Sequence, residues 1–370
     1  MVLLARHGWL PGRRRRFLSP SLRILASSTV FALVVAGCSS SGAAHLSISL
    51  LPNRAAEGQT WAWTAGCETG PYVHRTCQSA GPVLGTAQLN ADEWNLGAGT
   101  ATVGYLGMSM SSPGGLDMHG DFRTTPPCTE SSCIAPTANT WVRAYPNVLY
   151  GINQCHKATS PPESELLPLP LKVSAIPSDL IGVTTYAEQA QHVTYDVAYD
   201  LWLSDSATRR PCNTSGSIEV MVWTDYDQRA MLPGNMQTAS ATIPFSVNGV
   251  VQAGKSAWWT YTSNVFRDGA TAPWGGTVWF VLNSAQKISH GTVSVDLSSV
   301  LSAVGSLLEN YYGWTGFAHR YWLDTIPFGM EFGPQSGALY GAGSAHFTLR
   351  FLSYCLDVGT TLHDAACPVG

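Results

Sequence analysis

Two carboxylates stand inside segments that otherwise read as buried β-strand. Glu219 lies within residues 217–223 and Glu331 within residues 325–332. An unpaired carboxylate is costly to remove from water, so an acid in such a segment indicates either a partner or a chemical task. The chain also has 13 Trp and 14 Tyr, whose flat apolar faces suit sugar rings. Together these residues predict a sugar-binding cleft that carries a pair of acids.

Strand alternation places further side chains beside Glu219. Successive residues of a strand point to opposite faces, so Met221 and Trp223 share the face of Glu219. Asp200 and Trp202 likewise share one face of an upstream strand and could line the same cleft. The alternative is that the two tryptophans are core aromatics and that Asp200 caps a loop.

The elements that must position these residues are mostly strands. Residues 297–311 are the exception, because their apolar side chains recur at helical spacing, with Asp296 as the expected N-cap and Gly313 after the end. Many strands and one helix predict an all-β fold, an antiparallel β-sandwich with the helix packed on one sheet. Five segments have the strongest strand character: 193–203, 218–223, 256–261, 277–282 and 343–352.

The N-terminus predicts export. Residues 1–37 contain six Arg and no acid, and a short apolar stretch precedes Cys38. Cys38 resembles the lipidated cysteine of a bacterial lipobox, and residues 14–18 resemble a twin-arginine signal; an ordinary signal peptide is the alternative. The expected organisation is a signal peptide over 1–37, a lipid-anchored tether over 38–58 and one domain over 59–370. The protein would then face outward from the cytoplasmic membrane or be secreted.

Charge and cysteine content agree with this compartment. Removal of the six leader arginines from 20 Lys+Arg leaves 14 against 24 Asp+Glu, a formal charge of −10, which does not suit nucleic acid. Eight cysteines besides Cys38 allow four disulfides. The spacing favours 67–77, 128–133, 355–367 and, by remainder, 155–212. A zinc site at residues 128–133 is a weaker alternative, because no second Cys or His pair is nearby.

Four motifs together resemble glycoside hydrolase family 12, the endo-β-1,4-glucanases and xyloglucanases with a concave jelly roll. The family's nucleophile strand, Glu-x-Met-x-Trp, is similar to residues 219–223, and its Gly-x-Glu acid/base strand to residues 329–331. Residues 198–202 resemble the strand whose Asp assists the nucleophile, and residues 145–147 the family's Tyr-Pro-Asn/Ser segment. The motifs occur in the family's order over roughly residues 89–352.

The resemblance implies a retaining mechanism with Glu219 as nucleophile, Glu331 as acid/base and Asp200 as the residue that holds Glu219. It implies substrate contacts by five residues: Trp94, Trp202, Met221, Trp223 and Phe332, the last standing where the family has proline. No metal or organic cofactor is expected. The expected partners are a polysaccharide substrate and a membrane reached through the lipid anchor, with the protein a monomer. A non-catalytic glycan-binding envelope lipoprotein on the same fold is the alternative.

Overall fold

The computed structural model describes fifteen stretches of the chain. They are residues 46–51, 59–64, 80–84, 86–91, 102–111, 115–124, 142, 144–152, 167–191, 193–207, 216–227, 230, 237–267, 274–334 and 344–367. Every structural statement below concerns these residues. The predicted signal peptide, Cys38 and Trp94 lie outside them.

Strands dominate the described residues, as the sequence predicts. In chain order they are β1 (Leu46–Ser49), β2 (Thr60–Thr64), β3 (Ala80–Leu84), β4 (Ala87–Asn90), β5 (Thr102–Ser111), β6 (Gly115–Thr124), β7 (Asn147–Gly151), β8 (Leu171–Lys172), β9 (Ile181–Gln191), β10 (Val193–Ser204), β11 (Ser217–Tyr226), β12 (Gln237–Thr242), β13 (Phe245–Val247), β14 (Val250–Gln252), β15 (Trp258–Arg267), β16 (Trp274–Leu282), β17 (His290–Asp296), β18 (Trp322–Pro334) and β19 (Ser344–Val358). The helices are α1 (Leu297–Tyr312) and α2 (Phe317–Arg320), with 3-10 turns at Val173–Ala175 and Gly254–Ala257.

The strands form two sheets. One has the order β14-β13-β17-β9-β19-β6-β5-β2, with β1 paired to β19. The other, which carries the candidate site, has the order β12-β15-β16-β11-β10-β18-β7-β4-β3, with β8 paired to β18. Neighbouring strands are antiparallel except β11 and β16, which run parallel. The predicted antiparallel sandwich is therefore confirmed as an architecture, and the second sheet is corrected to mixed.

Aromatic side chains join the two sheets. Tyr199 of β10 packs edge-on against Phe328 of β18, with ring centroids 4.6 Å apart, and its hydroxyl lies 2.9 Å from the hydroxyl of Thr184 on β9 in the opposite sheet. Tyr354 of β19 donates a hydrogen bond to the carbonyl of Ile326 on β18, at 2.9 Å. Because these buried hydroxyls have partners, the core stays apolar without unpaired polar atoms at these positions. This packing fixes the inner faces of β10 and β18 and leaves their other faces for the site.

Helix α1 confirms the predicted helix and extends it by one residue. The Asp296 side chain accepts a hydrogen bond from the backbone N–H of Ser299, and Gly313 ends the helix in the left-handed conformation at φ 66°. These are the expected N-cap and C-terminal glycine. The apolar stripe is buried, including Val300, Val304 and Leu308. None of the helices in the described stretches is long and apolar enough to cross a bilayer.

Two features bear on the predicted organisation and disulfides. Strand β1 lies within the predicted tether, and Leu46–Ser49 pair with Cys355–Val358, so the sandwich includes residues before position 59. The disulfide Cys355–Cys367 is present, as the spacing predicts. The other three predicted disulfides involve cysteines outside the described residues and stay predictions.

Candidate active site

Glu219 lies on β11, on the face opposite the buried Ile218, Val220 and Val222. Its side chain is partly exposed. The Thr277 hydroxyl on the parallel neighbour β16 donates a hydrogen bond to Glu219 Oε2 at 2.8 Å. Thr277 reaches it because the two residues are directly paired in the parallel register. A second hydrogen bond joins the carboxyls of Glu219 and Asp200.

Asp200 lies on β10, opposite Met221, and its side chain is 5% exposed. The indole N–H of Trp202 donates to Asp200 Oδ2 at 2.9 Å, so the two residues share one face, as alternation predicts. Trp202 is itself paired with Glu219 across the strands. The structure therefore brings Glu219, Asp200 and Trp202 together in one hydrogen-bonded group.

Glu331 lies on β18, on the other side of β10, and its carboxyl is only 7% exposed. The residue opposite is Asp196, which is fully buried and hydrogen-bonds the Glu331 carboxyl. Sequence reasoning did not assign Asp196 a role, although it lies on the face of Asp200, four residues earlier on the same strand. The missing information is the register of β10 against β18, which no local pattern of residues reveals.

Gly329 permits the close approach of β7 to this part of β18. A Cβ at position 329 would overlap the carbonyl oxygen of Pro146 and lie 2.7 Å from Cβ of Asn147. Tyr145, which precedes β7, donates a hydrogen bond to the Ala198 carbonyl of β10 at 2.9 Å. The Gly-x-Glu motif and the Tyr-Pro-Asn motif are thus adjacent. The missing side chain of Gly329 leaves room for Pro146 and Asn147.

Burial dominates the electrostatics of the site. It raises the pKa of Glu219 from 4.5 to about 7, against the opposing hydrogen bonds from Thr277 and Asp200. Burial also raises the pKa of Asp196 well above its usual range; the Glu331 hydrogen bond opposes this, and the charges of Asp200 and Glu219 add to it. These shifts favour the protonated forms of Glu219 and Asp196.

The pKa of Tyr145 is also raised by its acidic surroundings. Burial raises its pKa well above 10, and the charges of Asp200, Asp196 and Glu331 raise it further, in that order. The Tyr145 hydroxyl is therefore close to acids of both β10 and β18.

The predicted substrate-binding aromatics are partly hidden. Met221 and Trp223 are each 2% exposed and form an apolar cluster with Val142 and Ala198. Trp202 is only partly buried. Trp279 of β16 packs against the same cluster and is partly exposed, although sequence reasoning did not select it. Alternation with Thr277 on the same strand was the signal that could have identified it.

Phe332 requires a correction. It lies on the face of β18 opposite Glu331, is 2% exposed and packs against Phe347 of the other sheet at 4.6 Å between ring centroids. The same alternation that exposes Glu331 to the site turns Phe332 into the core, along with Met330 and Phe328. The prediction that Phe332 contacts substrate is therefore wrong.

A second acidic pair, Glu188 of β9 and Asp225 near the end of β11, lies beside Tyr195 near the start of β10. Tyr195 donates to Glu188 Oε1 at 2.9 Å and to Asp225 Oδ2 at 3.3 Å. Burial raises the pKa of Glu188 from 4.5 to about 7 and also raises that of Asp225. Lys287 lies 3.8 Å from Asp225 and donates to the Tyr226 carbonyl at 2.6 Å. Lys287 is therefore a cation that acts on this pair.

Metal ligation is not indicated in the stretches that the structure covers. They contain no group of three or more His, Cys, Asp or Glu side chains placed to hold an ion.

What the four carboxyls can do is exchange protons: two carboxyls in hydrogen-bond contact need a proton between them. Each glutamate of the site thus has an aspartate of β10 as a hydrogen-bond partner.

Comparisons with known proteins gave structural similarities only. No family model and no curated protein matches this chain. Among solved structures, a family 12 xyloglucanase from Bacillus licheniformis is similar with a TM-score of 0.48 and 13% identity, covering 80% of this chain and 99% of that one. Endoglucanase 3 of family GH12 from Trichoderma harzianum has a TM-score of 0.44 and 18% identity, covering 81% and 97%. A metagenome-derived family 12 endoglucanase has a TM-score of 0.45 and 17% identity, and the similarity covers 80% of this chain and 100% of that one. At these identities and TM-scores, the similarities assign neither family nor activity.

Proposed function

We propose that this chain is a retaining β-glycosidase that hydrolyses β-1,4-linked glucan from within the chain. The observation that supports this most strongly is the pairing of two acids with two aspartates on one strand. Glu219 hydrogen-bonds Asp200, and Glu331 hydrogen-bonds Asp196. Both pairs lie on the same three adjacent strands, β11, β10 and β18, beside the partly exposed Trp202.

The chemistry assigns different protonation states to the two glutamates. In the first step ionised Glu219 attacks the anomeric carbon, the glycosidic bond breaks, and Glu331 gives its proton to the leaving oxygen. In the second step water attacks the same carbon, Glu219 leaves, and Glu331 takes the proton of water. The Thr277 hydroxyl and the Asp200 carboxyl hold Glu219 by hydrogen bonds that favour its charged form.

A glycan panel assayed for reducing-end release tests the proposal. We expect turnover of at least one of mixed-linkage β-glucan, carboxymethylcellulose and xyloglucan. Glu219→Gln should lower kcat by about 10⁴-fold or more, because the nucleophile is lost. Glu331→Ala should lower kcat by about 10²–10⁴-fold on glucans but less on an activated aryl glycoside, which needs no proton. Added azide should restore turnover of that aryl glycoside.

The matched control is Asp117→Asn, which removes an acid from the other sheet, where Asp117 pairs with the exposed Arg350. Its kcat should stay within a factor of two. No hydrolysis of any glycan by the folded wild type, together with binding that both Glu variants retain, would contradict the enzyme proposal and favour the glycan-binding alternative.

We extend the proposal to location: the mature protein is anchored by a lipid on Cys38. The supporting sequence is the charged and apolar leader that ends at Ala-Gly before Cys38. Cys38→Ser should move the protein from the membrane fraction to the soluble exported fraction, measured by immunoblot of fractionated cells. An unchanged membrane share in the variant would rule out this anchor.

A further inference from the structure

We propose that Asp196 is the positioning residue of Glu331, which it holds through a proton shared between the two carboxyl groups. The inference adds a role for Asp196 to the function proposed above and rests on it for the catalytic consequence. The two residues are directly opposite each other in the antiparallel register of β10 and β18. Both side chains lie on the site face and are almost completely buried.

Among the described residues, no other donor reaches the Asp196 carboxyl. Apart from the Glu331 carboxyl, no described group hydrogen-bonds either oxygen of Asp196. The nearby Tyr145 hydroxyl already donates to the Ala198 carbonyl. Tyr226, opposite Asp196 on β11, donates its hydroxyl to the Leu282 carbonyl. The carboxyl–carboxyl contact therefore depends on a proton held within the pair, since two ionised carboxylates have no donor between them.

The charges that act on Asp196 have the same sign. Asp200 lies on its own strand and Glu219 on β11, and the charges of both disfavour a negative charge on Asp196. The cation of Lys287 is engaged elsewhere, by Asp225 and the Tyr226 carbonyl. Removal of both protons from the pair would leave two adjacent carboxylates in a buried acidic site, which is strongly unfavourable.

This arrangement has a consequence for the proposed reaction. When Glu331 gives its proton to the leaving oxygen, a pair that began with two protons keeps one. The Asp196 O–H then donates to the new Glu331 carboxylate and holds it for the second step, in which it accepts a proton from water. The competent enzyme thus has both members of the pair protonated and Glu219 ionised.

The direct test is a carboxyl ¹³C NMR titration of the mature chain with labelled Asp and Glu, with the Glu331 signal assigned by its loss in Glu331→Gln. Coupled carboxyls titrate in two macroscopic steps. We expect the wild-type Glu331 signal to show two inflections separated by more than about one pH unit. In Asp196→Asn we expect one inflection, at a pH between these two, because the amide donates a hydrogen bond but cannot ionise. This readout does not need a substrate.

The catalytic readout is the pH profile of kcat/KM. Asp196→Asn should move the optimum to higher pH, by about one unit, because activity no longer requires a proton on residue 196. Asp324→Asn is the control: it neutralises another buried aspartate of β18, seven residues before Glu331, and should leave the optimum in place. A purely structural role for Asp196 would lower kcat at all pH values without moving the optimum.

The outcomes separate the two proposals. Two inflections in the wild type without hydrolysis of any glycan would support proton sharing and contradict the glycosidase function. A single wild-type inflection of the Glu331 signal would overturn the inference, whatever the activity. The wild-type titration decides the matter even if Asp196→Asn does not fold.

Discussion

At the scale of single residues, the site is defined by hydrogen bonds that act on carboxyl charge. Thr277 and Asp200 favour the ionised form of Glu219, while burial opposes it and dominates. The hydroxyl of Thr277 reaches Glu219 from β16, which flanks β11 on the side away from β10 and β18. It is the one hydroxyl that donates to Glu219 among the described contacts.

Thr277→Val tests this contribution. Loss of a hydrogen bond to a charged group costs about 1.5–3 kcal/mol, so the pKa of Glu219 should rise by about one unit or more from its value of about 7. Because the nucleophile must be ionised, the acidic limb of kcat/KM against pH should move to higher pH. Thr277→Ser keeps the hydroxyl and should keep the wild-type limb. An acidic limb that stays in place in Thr277→Val would show that this bond does not act on the nucleophile.

At the scale of elements, β10 organises the site from its position between β11 and β18. It supplies Asp200 to Glu219 on one side and Asp196 to Glu331 on the other. The same strand buries Tyr199 on its inner face, so packing against the opposite sheet fixes its orientation. Two aspartates four residues apart on one rigid strand are thereby held at the two glutamates.

How far the sequence predicts these elements depends on whether the signal is local. Helix α1 was predictable because its stripe and its cap at Asp296 are local patterns, and the face of Glu219 followed from alternation. Applied to β18, the same alternation would have placed Phe332 in the core. The Asp196–Glu331 pairing and the parallel β11–β16 register were not predictable, because they join residues 135 and 58 positions apart without a local signature.

Helix α1 offers a test of an element that the sequence identified correctly. Asp296→Ala removes the acceptor of the Ser299 N–H bond, 2.9 Å long, and should lower the free energy of unfolding by about 0.5–2 kcal/mol. Asp296→Asn retains a side-chain oxygen and should lose less. Urea unfolding of the mature chain measures both. Equal stability of Asp296→Ala and the wild type would show that the cap does not stabilise the helix.

At the scale of the whole molecule, folding buries carboxyl groups in surroundings that disfavour their ionised form. Burial raises the pKa of both Glu219 and Glu188 from 4.5 to about 7. The folded state therefore binds more protons than the unfolded state between these pH values, and the free energy of unfolding falls as pH rises through that window. Below about pH 4.5 both states are protonated and this contribution is fully present.

Unfolding by urea at pH 5 and at pH 8 measures this effect. We expect the wild type to be less stable at pH 8, and Glu188→Gln to show a smaller loss, since a neutral amide has no charge to bury. Glu309→Gln, at an exposed position of α1, is the control and should show the wild-type loss. Wild-type stability that increases from pH 5 to pH 8 would contradict the raised pKa values.

The central claim is that Glu219 acts as a nucleophile and Glu331 as its acid/base partner, and the stereochemistry of the first product tests it most directly. A covalent glycosyl-enzyme means two inversions at the anomeric carbon, so the sugar released from a β-glucan should first appear as the β-anomer. Proton NMR of the first minutes of hydrolysis distinguishes the anomers before mutarotation mixes them. An initial excess of the β-anomer is the predicted result. An initial excess of the α-anomer would contradict the account, because Glu219 would then activate water for a single displacement.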